Sequence, residues 1–166
     1  MRPAGGPGRR TFTEQERKFH MSRRALLPAC LLLLAATPGH LRAQSYAVQV
    51  WDQIQEHWKT ISKNDSDWFL QNYIMGRLNT GGTDSWTFYL DKGASYIITG
   101  ACDNDCKNVD MVIKDDDDNV VDKDRKDDDT PVLTLVPAKS GKFTIDVEMA
   151  SCKEEPCYFG IGIFRK

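Results

Sequence analysis

The feature that most limits what this chain can become is a run in which every second residue is apolar. Phe143, Ile145, Val147 and Met149 alternate with Thr144, Asp146, Glu148 and Ala150. Side chains of a strand point to opposite faces in turn, so this pattern predicts a central strand over 142–149 with one face in a core. Trp86, Phe88 and Leu90 repeat the pattern against Thr87, Tyr89 and Asp91. Further strands are expected over 73–78, 95–101, 109–114, 119–122, 132–136 and 158–164. Gly81-Gly82, Lys92-Gly93, Asp118-Asn119, Pro137 and Ser140-Gly141 supply turns between them. About eight short strands at this spacing predict an all-β domain over 67–166, an antiparallel β-sandwich or jelly roll.

Ahead of the strands the period changes. Ala47, Val50, Trp51, Ile54, Trp58 and Ile61 recur at three- and four-residue steps, predicting an amphipathic helix over 45–63 within a helix-and-linker segment at 44–66. Ser45 is its expected N-cap, and Gln49, Gln53, Gln55, Glu56 and Lys59 fill the polar side. A stripe with two tryptophans needs cover. Packing against the following domain supplies it, or else Trp51, Ile54 and Trp58 form a partner surface.

Residues 1–43 have the layout of a secretory signal peptide. Arg23-Arg24 precedes an apolar run from Ala25 to Ala36, then a polar segment ends at Ala43, the expected cleavage point. Met21 is a candidate start, with 1–20 upstream of it. The competing reading is an uncleaved anchor, although the run is short for a membrane span, and none is expected in the mature form. This segment carries eight of the 22 basic and two of the 24 acidic residues, so residues 44–166 hold 14 basic and 22 acidic groups, a net −8. That balance argues against nucleic acid as a partner, since phosphate binding needs a basic face. A secreted or periplasmic location follows.

Four cysteines remain beyond the leader: Cys102, Cys106, Cys152 and Cys157. An even number in a short exported chain reads as disulfides. Of three pairings, Cys102–Cys106 with Cys152–Cys157 is expected from the short spacings. A zinc site is the alternative reading, weakened by the absence of nearby histidines. No C-x-x-C motif suggests redox catalysis.

Gly76-Arg-Leu78, Trp86-Thr-Phe-Tyr-Leu90, Lys92-Gly-Ala-Ser-Tyr96, Cys102-Asp-Asn-Asp-Cys106, Val109-Asp-Met-Val-Ile113, Asp124 to Pro131 and Ser140-Gly-Lys-Phe143 follow one another in order. Over roughly 72–166 this series resembles the bacterial pre-peptidase C-terminal domain, in a small stand-alone exported form. The resemblance implies a compact β-sandwich of the kind appended to secreted proteases and other hydrolases, some of which bind calcium or assist substrate or matrix binding. The chain departs from the usual context, because a helix rather than a protease domain precedes the sandwich. The usual hairpin glycine is replaced by Asp118-Asn119, which tolerates a left-handed turn.

Catalytic motifs are sparse. Beyond the leader only His57 remains, and no H-E-x-x-H or G-x-S-x-G occurs. Carboxylates are plentiful, so an aspartate-based hydrolase stays open as a third reading. Residues 103–129 contain twelve aspartates and five basic groups, a net −7. Crowded carboxylates repel, and calcium, with six to eight oxygen ligands, would relieve that repulsion. Asp103, Asp105 and Asp110 are the first candidate ligands, and Asp115, Asp117, Asp124 and Asp128 the second. A solvated acidic surface is the alternative. The expected function is a non-catalytic exported binding or stability module with calcium ordering its loops. The alternative is an interaction protein docking through the Trp51/Trp58 helix. Candidate partners are a secreted enzyme or a cell-surface or matrix component.

Overall fold

The computed structural model describes residues 38–166, so the expected signal-peptide core and both candidate start sites lie outside the described residues. One helix and eight strands follow in order: α1 (Pro38–Asn64), β1 (Phe69–Leu78), β2 (Thr83–Leu90), β3 (Tyr96–Cys102), β4 (Cys106–Lys114), β5 (Val120–Asp124), β6 (Val132–Leu135), β7 (Gly141–Cys152) and β8 (Cys157–Arg165). Among the described residues the helix is already formed at Pro38 and runs through the expected junction at Ala43. Ser45 is therefore inside the helix rather than its N-cap.

The strands form two antiparallel sheets, sheet I in the order β1-β8-β3-β6 and sheet II in the order β2-β7-β4-β5. The pairs β1–β8, β2–β7, β3–β6 and β4–β5 describe one long strand ribbon folded back on itself and rolled into two layers, the jelly-roll arrangement. The expected sandwich is thus the fold, and strand 142–149 lies inside sheet II. Between the layers Ile98, Leu133, Phe159, Ile161 and Ile163 of sheet I meet Leu90, Met111, Ile113, Phe143, Ile145, Val147 and Met149 of sheet II. Trp86 and Phe159 pack across the gap with ring centroids 5.6 Å apart.

β8 shows why some strands alternate and others do not. β7 is buried at every second residue, whereas β8 is buried almost throughout. Phe159, Ile161 and Ile163 face the inter-sheet core, and the intervening residues lie under α1, so both faces are covered. Val50 and Ile54 of α1 are fully buried with Ala101 and Phe164 in a second core. Gly160 lets the helix approach: a Cβ there would sit 2.6 Å from Cγ1 of Val50 and 2.9 Å from Cδ1 of Ile54. At Gly162 a Cβ would lie 3.1 Å from Cγ2 of Ile54. Residues 38–166 therefore form three layers, helix on sheet on sheet.

The polar side of α1 is not all solvent-facing. Gln53 donates to the Cys102 carbonyl at 2.6 Å, Gln49 accepts from the Asn104 N–H at 3.3 Å, and His57 Nδ1 lies 2.9 Å from Thr99 Oγ1. The i, i+4, i+8 positions thus form a polar seam against β3 and the turn after it. Burial pulls the His57 pKa below its ordinary value.

The disulfides take the local pairing, Cys102–Cys106 and Cys152–Cys157. Each ties a strand of one sheet to a strand of the other, β3 to β4 and β7 to β8. Cys106 and Cys152 are register partners, so both bridges occupy one end of the sandwich. Each closes a loop of a few residues and is worth about 2 kcal/mol by loop entropy.

Candidate functional site

The outward face of sheet II is polar because its strands turn their apolar side chains to the core. Ser85 of β2, Asp146 and Glu148 of β7, and Asp110, Val112 and Lys114 of β4 therefore share one surface. With Thr83, Val120 and Arg125 they line a groove of about 460 Å³.

Two arrangements divide this groove. At its β2 side Asp146 is fully engaged: Ser85 Oγ donates to it at 2.6 Å and Lys114 Nζ lies 2.6 Å away. Burial alone would raise the Asp146 pKa, but these two donors outweigh it and hold the carboxyl below its usual range. At the other side Asp110 and Glu148 are direct cross-strand partners. Oδ1 of Asp110 is shielded from solvent and has no hydrogen-bond partner among the described residues. Desolvation pushes the Asp110 pKa up, the Glu148 charge pushes it further, and Arg125 only partly offsets them. Arg125 is exposed and makes no ion pair within the described residues.

The seven aspartates proposed for calcium are spread over separate structural tasks. Asp103 is buried, and it accepts the N–H groups of Asp105 and Cys106, each at 3.1 Å, and of Tyr158 at 2.7 Å. It ties the turn after β3 to β8. Asp105 acts there through its backbone, accepting the Lys153 N–H at 2.7 Å. Asp115 organises the β4–β5 turn by accepting the N–H groups of Asp117 and Asn119, both at 3.0 Å; the Asn119 N–H is the main cause that lowers its pKa. Within that turn Asp118 has φ = 61°, the left-handed conformation anticipated from Asp118-Asn119. Asp117 meets Lys139 at 3.2 Å on the surface, and Asp128 accepts the Thr130 N–H at 3.1 Å.

Asp124 seals an edge. It is 6% exposed, and its Oδ2 accepts the Val132 N–H at 3.1 Å, while Asp122 Oδ2 accepts the Thr134 N–H at 2.8 Å. Val132 and Thr134 belong to β6, the outer strand of sheet I. The two carboxylates of β5 thus complete the β6 backbone where no further strand follows. Burial would raise the Asp124 pKa, but the Val132 N–H and Lys126 outweigh it. Among the described residues no three His, Cys, Asp or Glu side chains come together as a metal-binding set. The donor set does not fit calcium: Asp103 and Asp124 are filled by backbone donors, and Asp110 is grouped with Glu148 rather than with Asp103 and Asp105.

The three helix residues separate. Ile54 is core, Trp51 packs on Tyr73 of β1 with ring centroids 4.8 Å apart, and Trp58 is 43% exposed. Of the expected stripe, Trp58 alone is left facing outward to that degree among the described residues.

Glu148, Asp146, Ser85, Lys114 and Arg125 were not among the sequence candidates. The alternation of β7 already put Asp146 and Glu148 on its outward side. Their meeting with Asp110 depends on the β4–β7 register, which passes through two irregularities between Cys106 and Asp110.

The chain matches no protein-family model and no curated protein. Among solved structures it is similar to the pre-peptidase C-terminal domain of collagenase from Bacillus anthracis, with 19% identity over 57% of this chain and 89% of that one, at a TM-score of 0.41. It is also similar to PliG of Aeromonas hydrophila, a periplasmic lysozyme inhibitor of g-type lysozyme, with 12% identity over 57% of this chain and 85% of that one, at a TM-score of 0.44.

Proposed function

We propose that this protein is an exported, non-catalytic β-sandwich module that binds its ligand in the groove on sheet II. One observation carries the reading. The buried carboxylates, Asp103 and Asp124, are saturated with donors, whereas half-buried Asp110 holds a shielded Oδ1 with no donor among the described residues. An unmet acceptor costs stability, and such costs are characteristic of binding sites rather than of scaffolding. Asp110 and Glu148 do bring two carboxyls together, as a glycoside hydrolase requires. The groove lining, however, contains no aromatic ring to serve as a sugar platform. Two disulfides support an oxidising compartment, and no helix among the described residues is long and apolar enough to cross a membrane.

A second reading rests on Trp58, which is exposed on α1 and suits a protein partner. Amide chemical-shift mapping against a panel of small charged, polar and aromatic probes separates the two. Shifts gathered on residues 83–85, 110–114 and 146–148 support the groove. Shifts gathered on α1 around Trp58, with the groove silent, would overturn it in favour of the helix. N-terminal sequencing of the exported product tests the location, and a cytoplasmic chain retaining residues 21–43 would refute export.

A further inference from the structure

We propose that β1 pairs edge to edge and antiparallel with β1 of a second copy of this chain, so that two molecules share one continuous sheet. The surface is separate from the groove on sheet II, and the proposal does not rest on that groove.

The strand register shows which groups the β1 edge offers. β8 lies between β1 and β3. Tyr158 of β8 turns both its backbone groups toward β3: its carbonyl accepts the Asp103 N–H at 3.0 Å, and its own N–H donates to Asp103 Oδ2 at 2.7 Å. At the far end of β8, Lys166 and Ser95 exchange both backbone bonds at 3.0 Å. Backbone groups along an antiparallel strand face its two neighbours in turn, so Gly160 and Gly162 face β3 as well. The β1 partners of Tyr158, Gly160 and Gly162 are Arg77, Met75 and Tyr73. Those three therefore turn their N–H and C=O groups away from β8, out to the open edge. The Tyr73 N–H donates to Asn72 Oδ1 at 2.8 Å, an exposed carboxamide that an incoming strand can displace. No side chain among the described residues covers the N–H of Met75 or Arg77.

The other edges are guarded. Asp124 and Asp122 accept the N–H groups of β6, and Asp122 Oδ1 accepts the Lys123 N–H of β5 at 2.8 Å. On β2, Asp84 accepts the Ser85 N–H at 2.8 Å, and the strand borders the outward carboxylates of β7, so two copies meeting there would bring acidic faces together. Charges and capped N–H groups are the usual protection of a sheet edge. Residues 69–76 of β1 carry no charge at all.

A second copy fits this edge because β1 complements itself. A two-fold axis at Met75 sets Met75 against its own counterpart and Tyr73 against the partner's Arg77, twice over. Residues opposite one another at these positions exchange both backbone bonds, and their side chains share a face. The guanidinium then meets an aromatic ring, a favourable contact, and Arg77, the only charge in β1, faces no like charge. The side chains continue the surface. Tyr73 is 51% exposed although it packs on Trp51, and Trp58, two turns further along the same side of α1, is 43% exposed. With the axis normal to the sheet, both helices lie on one face of the joined sheet, and these rings fill the strip between them.

The test is sedimentation velocity of the exported protein over a range of concentrations, paired with amide hydrogen exchange. A dimer is expected, with exchange at Met75 and Arg77 slowing as it forms. Arg77→Pro removes an N–H that β8 does not use, so the melting transition should persist while the dimer dissociation constant rises at least about tenfold. Tyr73→Glu and Tyr73→Lys both lose the packing on Trp51, but only the lysine faces a like charge, the partner's Arg77. The lysine variant is therefore expected to dimerise about tenfold more weakly than the glutamate variant, a comparison that stands even where Arg77→Pro does not fold. A chain that stays monomeric to millimolar concentration would overturn the proposal. So would a dimer whose Met75 and Arg77 amides still exchange freely, or one in which the two Tyr73 variants behave alike.

Discussion

Replacing Ile54 by alanine tests whether the helix is an integral layer of the fold. Ile54 is fully buried beneath α1, against Gly160 and Gly162 of β8 and beside Val50, Ala101 and Phe164. The substitution removes three buried carbons, worth about 0.8 kcal/mol each in transfer, so the floor is about 2.4 kcal/mol. If the site stays rigid, a cavity of roughly 80 Å³ at ~24 cal/mol per Å³ adds about 2 kcal/mol more. The expected loss is therefore about 2.5–4.5 kcal/mol. Urea unfolding followed by tryptophan fluorescence measures it, since Trp51, Trp58 and Trp68 report on the helix and its linker and Trp86 on the sandwich core. One transition at a lower midpoint with an unchanged slope is expected. Gly162→Ala should destabilise on its own, because its methyl would lie 3.0 Å from Cε2 of Phe164 and 3.1 Å from Cγ2 of Ile54, but should cost less in the Ile54→Ala background, where the second contact is gone. A loss under about 0.5 kcal/mol, or a zero coupling in that cycle, would refute the docking of α1 on β8.

Other outcomes follow from single contacts. Asp110 has a raised pKa in the folded state, so its contribution is fully present below its ordinary value and is lost as pH rises through the folded value; Asp110→Asn should therefore gain on the parent in melts at neutral pH and lose that advantage in acid. Asp103→Ala strands three N–H groups in a buried turn and should cost about 3 kcal/mol or more in chemical denaturation, with Asp103→Asn costing less. Calcium and magnesium at matched ionic strength should shift the melting temperature equally, and a calcium-specific rise of several degrees would establish the cage that the dispersed aspartates do not form. Asp118→Val places a branched side chain at φ = 61° and should cost about 1–2 kcal/mol, whereas Asp118→Gly should be tolerated.

The sandwich was legible because β2 and β7 each bury one face, and period two survives only under that condition. β8 reads as a plain apolar run with glycines, and its second burial surface becomes evident only when α1 is placed on it. The helix was readable by its period, but its polar seam was not. Glutamine and histidine at 49, 53 and 57 satisfy backbone and hydroxyl groups of β3 and its following turn, partners some fifty residues away in sequence. The acidic segment misdirected for a related reason. Composition reports how many carboxylates lie near one another along the chain, whereas strand register decides which face each takes. Asp103 and Asp124 turn inward to backbone donors, and Asp110 turns outward to Glu148.

β8 is the element on which the helix layer and β1 both depend. It is the shared neighbour of β1 and β3 in sheet I and the surface on which Val50 and Ile54 settle. Until residues 157–165 have joined the rest, β1 has no strand to pair with, α1 has no floor, and one bridge lacks Cys157. Without those residues sheet II and the β3–β6 pair can still form, but β1 and the apolar face of α1 stay uncommitted. Such pairing over long separations closes slowly.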